Sequence, residues 1–199
     1  MDLLITEIRI IQISLERGAI STPSLCAQKM LVSAEDHRAS KHCGIDILAI
    51  CRAIFVYIFY RRREGASTIE QQVVRVITKR YEITFRRKLK EIFLAILISG
   101  EVNKKLFPAI YLTIGYYGTN TVGYEAICKA IGCKVDDESP AVAARIVSRL
   151  KYPEPRLTSL KKAKKILARE LHITKLYHEH IEKGFHEYLC TRRFFPRKH

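Results

Sequence analysis

Apolar residues recur every three or four positions along most of the chain, and no convincing run of paired strands interrupts that pattern. The spacing predicts helices over 23–41, 45–60, 69–80, 85–99 and 103–116, and again over 123–131 and 139–150. Thr22 or Ser21 would cap the first, with Pro23 at its first position, and Ser139 and Pro140 open the last. Gly, Asn and Thr mark "GTNTVG" (118–123) as a loop. "KYPEPR" (151–156) is a break, beyond which one or two basic helices begin at Thr158 or Ser159. The opening "MDLLITEIRIIQISLERG" reads as an amphipathic helix or a strand. Asp2, Glu7, Arg9 and Glu16 spoil the apolar run that an export signal or anchor needs. The class is mainly α.

Composition narrows the picture. At 199 residues and 48% hydrophobic content, the chain can bury a core as one domain, or as one domain in two lobes, and is no disordered polyelectrolyte. A formal charge of +15 calls for an anionic partner, whether nucleic acid, membrane or phosphorylated substrate. No helix-turn-helix signature, zinc module or aromatic–basic RNA motif accompanies the charge, so nucleic acid is not the expected partner. From residue 151 onward, thirteen Lys and Arg face five Asp and Glu. That excess is expected to form a solvated helical face, one suited to acidic headgroups. The six cysteines include no CxxC pair, and the C-x4-C of Cys128 and Cys133 lacks a second pair. Free thiols and a reducing compartment are the expectation. Segment 45–60 is apolar nearly all round, yet too short and too charged, at Asp46 and Arg52, to span a bilayer of about 30 Å.

Three stretches carry candidate chemistry. In "SAEDHRASKHCG" (33–44), Glu35, Arg38 and His42 stand at i, i+3 and i+7, one face of a helix. That arrangement fits an acid–base centre or surface decoration. In "EGASTIEQQVVR" (64–75), Ser67 and Thr68 can cap a helix with Glu70 as capping-box partner. Alternatively, with Gln71 and Gln72, they extend an anion site at a helix N-terminus. In "FRRKLKEIFLAIL" (85–97), Arg87 and Lys88 precede Glu91 by four and three residues. This is a surface ion pair worth about 0.3–0.5 kcal/mol, unless another carboxylate faces it across a cleft. His178, Glu182 and His186 have helical metal spacing, but Gly184 interrupts them and no fourth ligand is evident. Exposed histidines are expected there, and no metal ligand is assigned.

Together, in order and spacing, these stretches resemble glycosyltransferase family 51, the peptidoglycan transglycosylase domain of bifunctional penicillin-binding proteins and monofunctional cell-wall polymerases. Glu35, Asp36, Ala39, His42 and Gly44 follow that family's Glu-Asp-x-x-Phe-x-x-His-x-Gly. Residues 65–72 follow Gly-Ala-Ser-Thr-Ile-Thr-Gln-Gln except at Glu70, and Arg87, Lys88 and Glu91 follow Arg-Lys-x-x-Glu. "YLTIGYYGTNTVGYEA" (111–126) and "SPAVAARIVSRLKYPEP" (139–155) resemble the fourth and fifth motifs. Ala39 replaces an aromatic under the catalytic loop, and Glu70 replaces a Thr, adding negative charge near a phosphate site. Thr113 replaces an Asn. Ile83 stands where the family carries a basic residue, a role Lys79 or Arg80 would have to fill.

The resemblance implies a lysozyme-like, two-lobed helical domain over 23–158, with a lead segment (1–22) and a basic helical region (159–199). It implies polymerisation of lipid II, a disaccharide-peptide on a polyprenyl pyrophosphate, with inversion and loss of the pyrophosphate. Glu35 would be the general base and Glu91 the second catalytic carboxylate, while Asp36, His42 and Arg38 orient or tune Glu35. Ser67, Thr68, Gln71, Gln72, Arg75, Arg87 and Lys88 would hold substrate and leaving group. A divalent cation, Mg2+ or Mn2+, at the pyrophosphate is the one cofactor it suggests. Segment 45–63, ending in Arg61, Arg62 and Arg63, would dip into the outer face of the cytoplasmic membrane, whereas its apolar pattern alone fits an ordinary buried helix equally well. Expected partners are lipid II, the growing glycan chain, the anionic membrane surface and cell-wall synthesis proteins. The alternative is a catalytically degenerate relative that binds polyprenyl-linked sugar or acidic membrane as an assembly factor.

Overall fold

The opening segment is a helix: α1 (Asp2–Glu16) turns Leu4, Ile8 and Leu15 inward. A computed structural model describes residues 2–157 and 159–190. Within them follow α2 (Leu25–Glu35), α3 (Ile47–Tyr60), α4 (Ile69–Thr78), α5 (Phe85–Glu101) and α6 (Phe107–Ile114). A hairpin of β1 (Tyr116–Gly118) and β2 (Thr121–Val122) leads to α7 (Tyr124–Ile131), α8 (Pro140–Lys151), α9 (Leu160–Glu182) and α10 (Glu187–Cys190). The mainly α expectation holds. Thr158 and residues 191–199 of the basic region lie outside the described residues. Ser159 caps α9, its side chain accepting the Lys162 N–H at 3.3 Å.

α2 sits at the centre, packed on α6, α8 and α9. Its Ala27, Met30, Leu31 and Val32 are fully buried, and each large apolar side chain so placed contributes about 1.5–3 kcal/mol. α4 packs on α5 and α6, and Ile69, Val73 and Val74 face inward. α9 lies on α2 and α8 through Ile166, Ile173 and Tyr177. Only its outer face, with Lys161, Lys164 and Lys165, is the solvated one expected.

Most boundaries shift by one to four residues from the sequence expectation, and three of the differences have a visible cause. α2 starts two residues late because Ser24, not Thr22 or Ser21, is the N-cap, accepting from the Ala27 N–H at 3.2 Å. The Glu138 carboxylate takes up the Leu25 and Cys26 N–H groups at 2.8 and 2.6 Å. α2 also stops at Glu35 instead of running to 41. Asp36 leaves helical backbone (φ −156°) and turns its carboxylate onto the Ile69 N–H at 3.1 Å. Glu35, Arg38 and His42 are therefore not one helix face. The turn that follows, past a 3-10 turn at Ala39–Lys41, needs Gly44. Its φ is 86°, and a Cβ there would lie 2.4 Å from the Ala95 carbonyl oxygen. Finally, part of 118–123 is paired as the hairpin, with Asn120 at φ 61° in its turn. Its strands are too short to show alternation.

α3 is exposed for most of its surface. Only Ala49 is buried, while Phe55, Tyr57, Ile58 and Phe59 are 51, 49, 56 and 68% exposed. An ordinary buried core helix is ruled out for this segment. No described helix is long and apolar enough to cross a membrane.

Candidate active site

The α4 N-terminus is assembled first. Thr68 is its N-cap, accepting from the Gln71 N–H at 3.3 Å and donating its hydroxyl to the Gly44 carbonyl at 2.8 Å. The Gln71 amide reaches the same carbonyl at 3.4 Å. Thr68 and Gln71 are fully buried. They bind the Gly44 turn to α4 and do not open on solvent.

Ser67, one residue earlier, is turned outward toward α5. Its Oγ accepts from Lys88 Nζ at 2.9 Å and from Arg75 Nη2 at 3.4 Å. Both cations continue to Glu91. Arg75 donates to its two oxygens at 2.9 and 3.0 Å, Lys88 to Oε1 at 2.6 Å, and Arg87 to Oε2. Lys88 is further fixed by the Gln71 Oε1 at 2.5 Å. Glu91 is 3% exposed. Burial alone would push its carboxyl up, but hydrogen bonds and charge from Arg75 and Lys88 hold it below its ordinary value. The Glu91 hydrogen bond pushes the Arg75 guanidinium up. Burial pulls the Lys88 ammonium down despite Glu91. Three cations thus converge on one carboxylate, and the surplus positive charge faces outward. That donor set does not fit a divalent cation at Glu91: both carboxylate oxygens are taken, and the neighbours repel a metal.

Glu35 stands at the last residue of α2, where the helix ends. Its Oε2 accepts from the Gln72 amide at 3.2 Å and its Oε1 from Arg169 Nη2 at 2.8 Å. Arg169 also donates to the Ala34 carbonyl at 3.0 Å. Ala34 and Glu35 share a cleft of about 390 Å³ with Gly65, Ser67, Gln72, Arg75, Tyr111, Leu150 and Lys151. Its lining thus brings a carboxylate, held by a neutral amide and a guanidinium, together with a hydroxyl and the first of the clustered cations.

Asp36 and His42 lie behind this cleft, not in it. His42 Nε2 bonds Asp36 at 2.9 Å, and both side chains are buried. Arg38 turns away to Asp46 at 2.9 Å, so it does not accompany Glu35 as the spacing suggested. Glu70, expected to place charge near a phosphate site, is buried on the inner face of α4. Burial first, and the Asp36 charge second, push its carboxyl up. Asp36, His42 and Glu70 bring ligand atoms within 4.8 Å of one another. Asp36 is already engaged by His42 and by the Ile69 N–H, and Lys104 Nζ stands 4.0 Å from the Glu70 carboxylate. Ala39 is buried in the core, and Thr113 spends its hydroxyl on the Ala109 carbonyl at 2.9 Å.

The late histidines are not all exposed as expected. His178 is, but His186 is 4% exposed and bonds Ser33 at 2.8 Å. The left-handed Gly184 (φ 68°) turns the chain back over α2, which also ends the helical metal spacing. Arg169 was missed by sequence reasoning. A signal existed: it stands at i+3 from Ile166 and i−4 from Ile173, on the one apolar stripe of α9. Tyr111 and Lys151 at the cleft were missed as well.

A transglycosylase family model matches residues 14–177. Penicillin-binding protein 1A of Rickettsia typhi is 30% identical over 165 residues, covering 81% of this chain and 20% of that protein. The same protein of Rickettsia felis is 35% identical over 127 residues, 61% of this chain and 16% of its own length. A monofunctional glycosyltransferase of Staphylococcus epidermidis is 40% identical over 89 residues, 45% of this chain and 33% of that protein. The chain therefore spans a fifth or less of the penicillin-binding proteins it matches. Because the family match runs from the end of α1 into α9 and takes in every residue lining the cleft, the chain belongs to the transglycosylase family.

Proposed function

We propose that the chain is a peptidoglycan glycosyltransferase that polymerises lipid II and releases polyprenyl pyrophosphate. The observation that carries this is the cleft itself, lined by Glu35, Gln72, Ser67 and Arg75. The acceptor 4-hydroxyl needs a base within hydrogen-bond reach. Glu35 supplies it from Oε2, while Arg169 and Gln72 fix the plane of its carboxylate. Attack on the anomeric carbon from the side opposite the pyrophosphate inverts that centre. The leaving group gains charge as the bond breaks, and preorganised cations stabilise that charge without reorganising. Arg75, Arg87 and Lys88 are such cations, with the Ser67 hydroxyl beside them. Glu91 holds the three in register. Thr68 and Gln71 act one step back, by fixing the α4 N-terminus and Lys88.

The exposed apolar side of α3, followed by Arg61, Arg62 and Arg63, suits a polyprenyl substrate in an anionic membrane. It supports a peripheral position on the outer face of the cytoplasmic membrane, with the growing glycan and cell-wall synthesis proteins as partners. The degenerate, lipid-binding reading gains nothing from Ala39, Glu70 or Thr113, since all three are spent inside the fold. The test is to supply purified chain and labelled lipid II in detergent, then resolve the products by length. Glycan strands are expected. Binding of lipid II without strand formation would favour the degenerate reading.

A further inference from the structure

α7 ends at a left-handed Gly132 (φ 70°, ψ 35°). Two backbone bonds close that end: Gly132 N–H to the Lys129 carbonyl at 3.3 Å, and Cys133 N–H to the Cys128 carbonyl at 3.0 Å. This pair of bonds is a Schellman cap, in which the side chains flanking the outer bond commonly meet in an apolar contact. Here both are cysteines. Cys128 is 1% exposed, and Cys133, the residue whose N–H closes the outer bond of the cap, packs half-buried on the same core. The other thiols are engaged differently: Cys26 bonds the Tyr177 hydroxyl at 3.4 Å, and Cys43, Cys51 and Cys190 are exposed.

We propose that Cys128 and Cys133 are a redox modification site, closing to a disulfide across the α7 cap when the chain meets a small-molecule disulfide such as oxidised glutathione. A disulfide joins Cα atoms about 4.4–6.8 Å apart, and the 3.0 Å bond from the Cys133 N–H to the Cys128 carbonyl keeps the two backbones in direct contact. Two exchanges balance the step. The Cys133 thiol loses its proton to water, its sulfur attacks the small disulfide, and one small thiolate leaves. Cys128, deprotonated in turn, attacks the Cys133 sulfur of the mixed disulfide and expels the second thiolate. Two protein thiols are oxidised and one disulfide is reduced to two thiols.

Burial, then the Cys133 thiol beside it, pushes the Cys128 thiol up to about 12. Its thiolate is scarce near neutral pH, so the second exchange is slow and speeds up about tenfold per pH unit. At the other end of α7, the Tyr124 hydroxyl bonds Ser24 Oγ, the N-cap of the helix that carries Glu35, at 3.2 Å. A cross-linked cap therefore fixes a helix that supports α2. The pair also records whether the folded chain sits in an oxidising or a reducing compartment, independently of the activity proposed above.

The test equilibrates the unmodified full chain with reduced and oxidised glutathione, quenches in acid and maps thiols by mass spectrometry after denaturing alkylation. The expected product is a Cys128–Cys133 cross-link, preceded by glutathionylated Cys133 that resolves about tenfold faster at pH 8.5 than at pH 7.5. Gly132→Ala keeps both thiols but strains the left-handed cap. The reduced chain can relieve that strain by fraying and the cross-linked chain cannot, so the closure constant should fall about tenfold. The proposal is overturned if Cys133 stays glutathionylated while Cys128 remains alkylatable. It is equally overturned if either residue pairs with another cysteine, or if Gly132→Ala closes as readily as the unmodified chain.

Discussion

Replacing Arg169 with alanine removes the hydrogen-bonded ion pair that joins α9 to the Glu35 carboxylate. The guanidinium is 11% exposed and the carboxylate 19%, so neither is fully solvated once its partner is gone. A hydrogen bond to a charged group is worth about 1.5–3 kcal/mol. The second bond, to the Ala34 carbonyl at the end of α2, adds a cation at a helix C-terminus, about 0.3–1 kcal/mol. The loss is roughly 2–4 kcal/mol, which for a domain of this size lowers Tm by about 4–16 °C. In activity, Glu35 would keep only Gln72 and could swing away from the acceptor hydroxyl. Misplacement by about 1 Å costs on the order of 10²-fold. We expect that loss in kcat with little change in KM, because the cation cluster at Glu91 is untouched. Arg169→Lys keeps the charge but cannot make both bonds in one plane, and should recover stability better than turnover. Thermal denaturation by circular dichroism and strand synthesis at saturating lipid II measure the two effects. An Arg169→Ala chain with unshifted Tm and turnover within about twofold of the original would refute the claim that α9 orients Glu35.

Further expectations follow from the same geometry. Phe55, Tyr57 and Phe59 are about half exposed or more, so replacing all three with serine should leave Tm nearly unchanged while binding to anionic liposomes falls; unfolding would put α3 back in the core. Lys88→Ala should impair lipid II turnover far more than Lys161→Ala or Lys165→Ala, and the difference should persist in salt, whereas long-range attraction is screened within about 10 Å at 0.1 M. Equal losses that vanish together in salt would leave Lys88 with no special role. Burial pushes His186 down to about 4 and also lowers His180 and His37. The unfolded chain therefore binds more protons between about 6.5 and 4, and stability is full above that window and falls by about 2–3 kcal/mol as pH drops through it. Urea midpoints that stay flat across the window would contradict this.

Much of the site was legible because its parts are local. Ser67, Thr68, Gln72 and Arg75 lie around one helix start, and Arg87, Lys88 and Glu91 lie on one turn of α5, so spacing alone nearly fixes their relations. What spacing could not show is where distant backbone intervenes. α2 ends at Glu35 because a carboxylate finds an N–H group at Ile69, across a gap that no local pattern spans. Glu70 looked like a misplaced charge because a helix position does not reveal which side faces the core. Arg169 hid in a basic run whose net charge suggested solvent, although Ile166, Ile173 and Tyr177 marked the buried stripe it belongs to. The apolar character of α3 was plain from the sequence, but only the fold distinguishes an exposed apolar helix from a core one.

The central claim is that Glu35 deprotonates the acceptor hydroxyl, and Glu35→Gln tests it most directly. Glutamine keeps the shape and can still face Gln72 and Arg169, but it cannot take the proton. With purified chain, labelled lipid II and product-length analysis, the variant should bind lipid II nearly as well as the unmodified chain. It should extend strands on the order of 10²–10⁴ times more slowly. Strand synthesis by the glutamine variant at the rate of the unmodified chain would contradict the account.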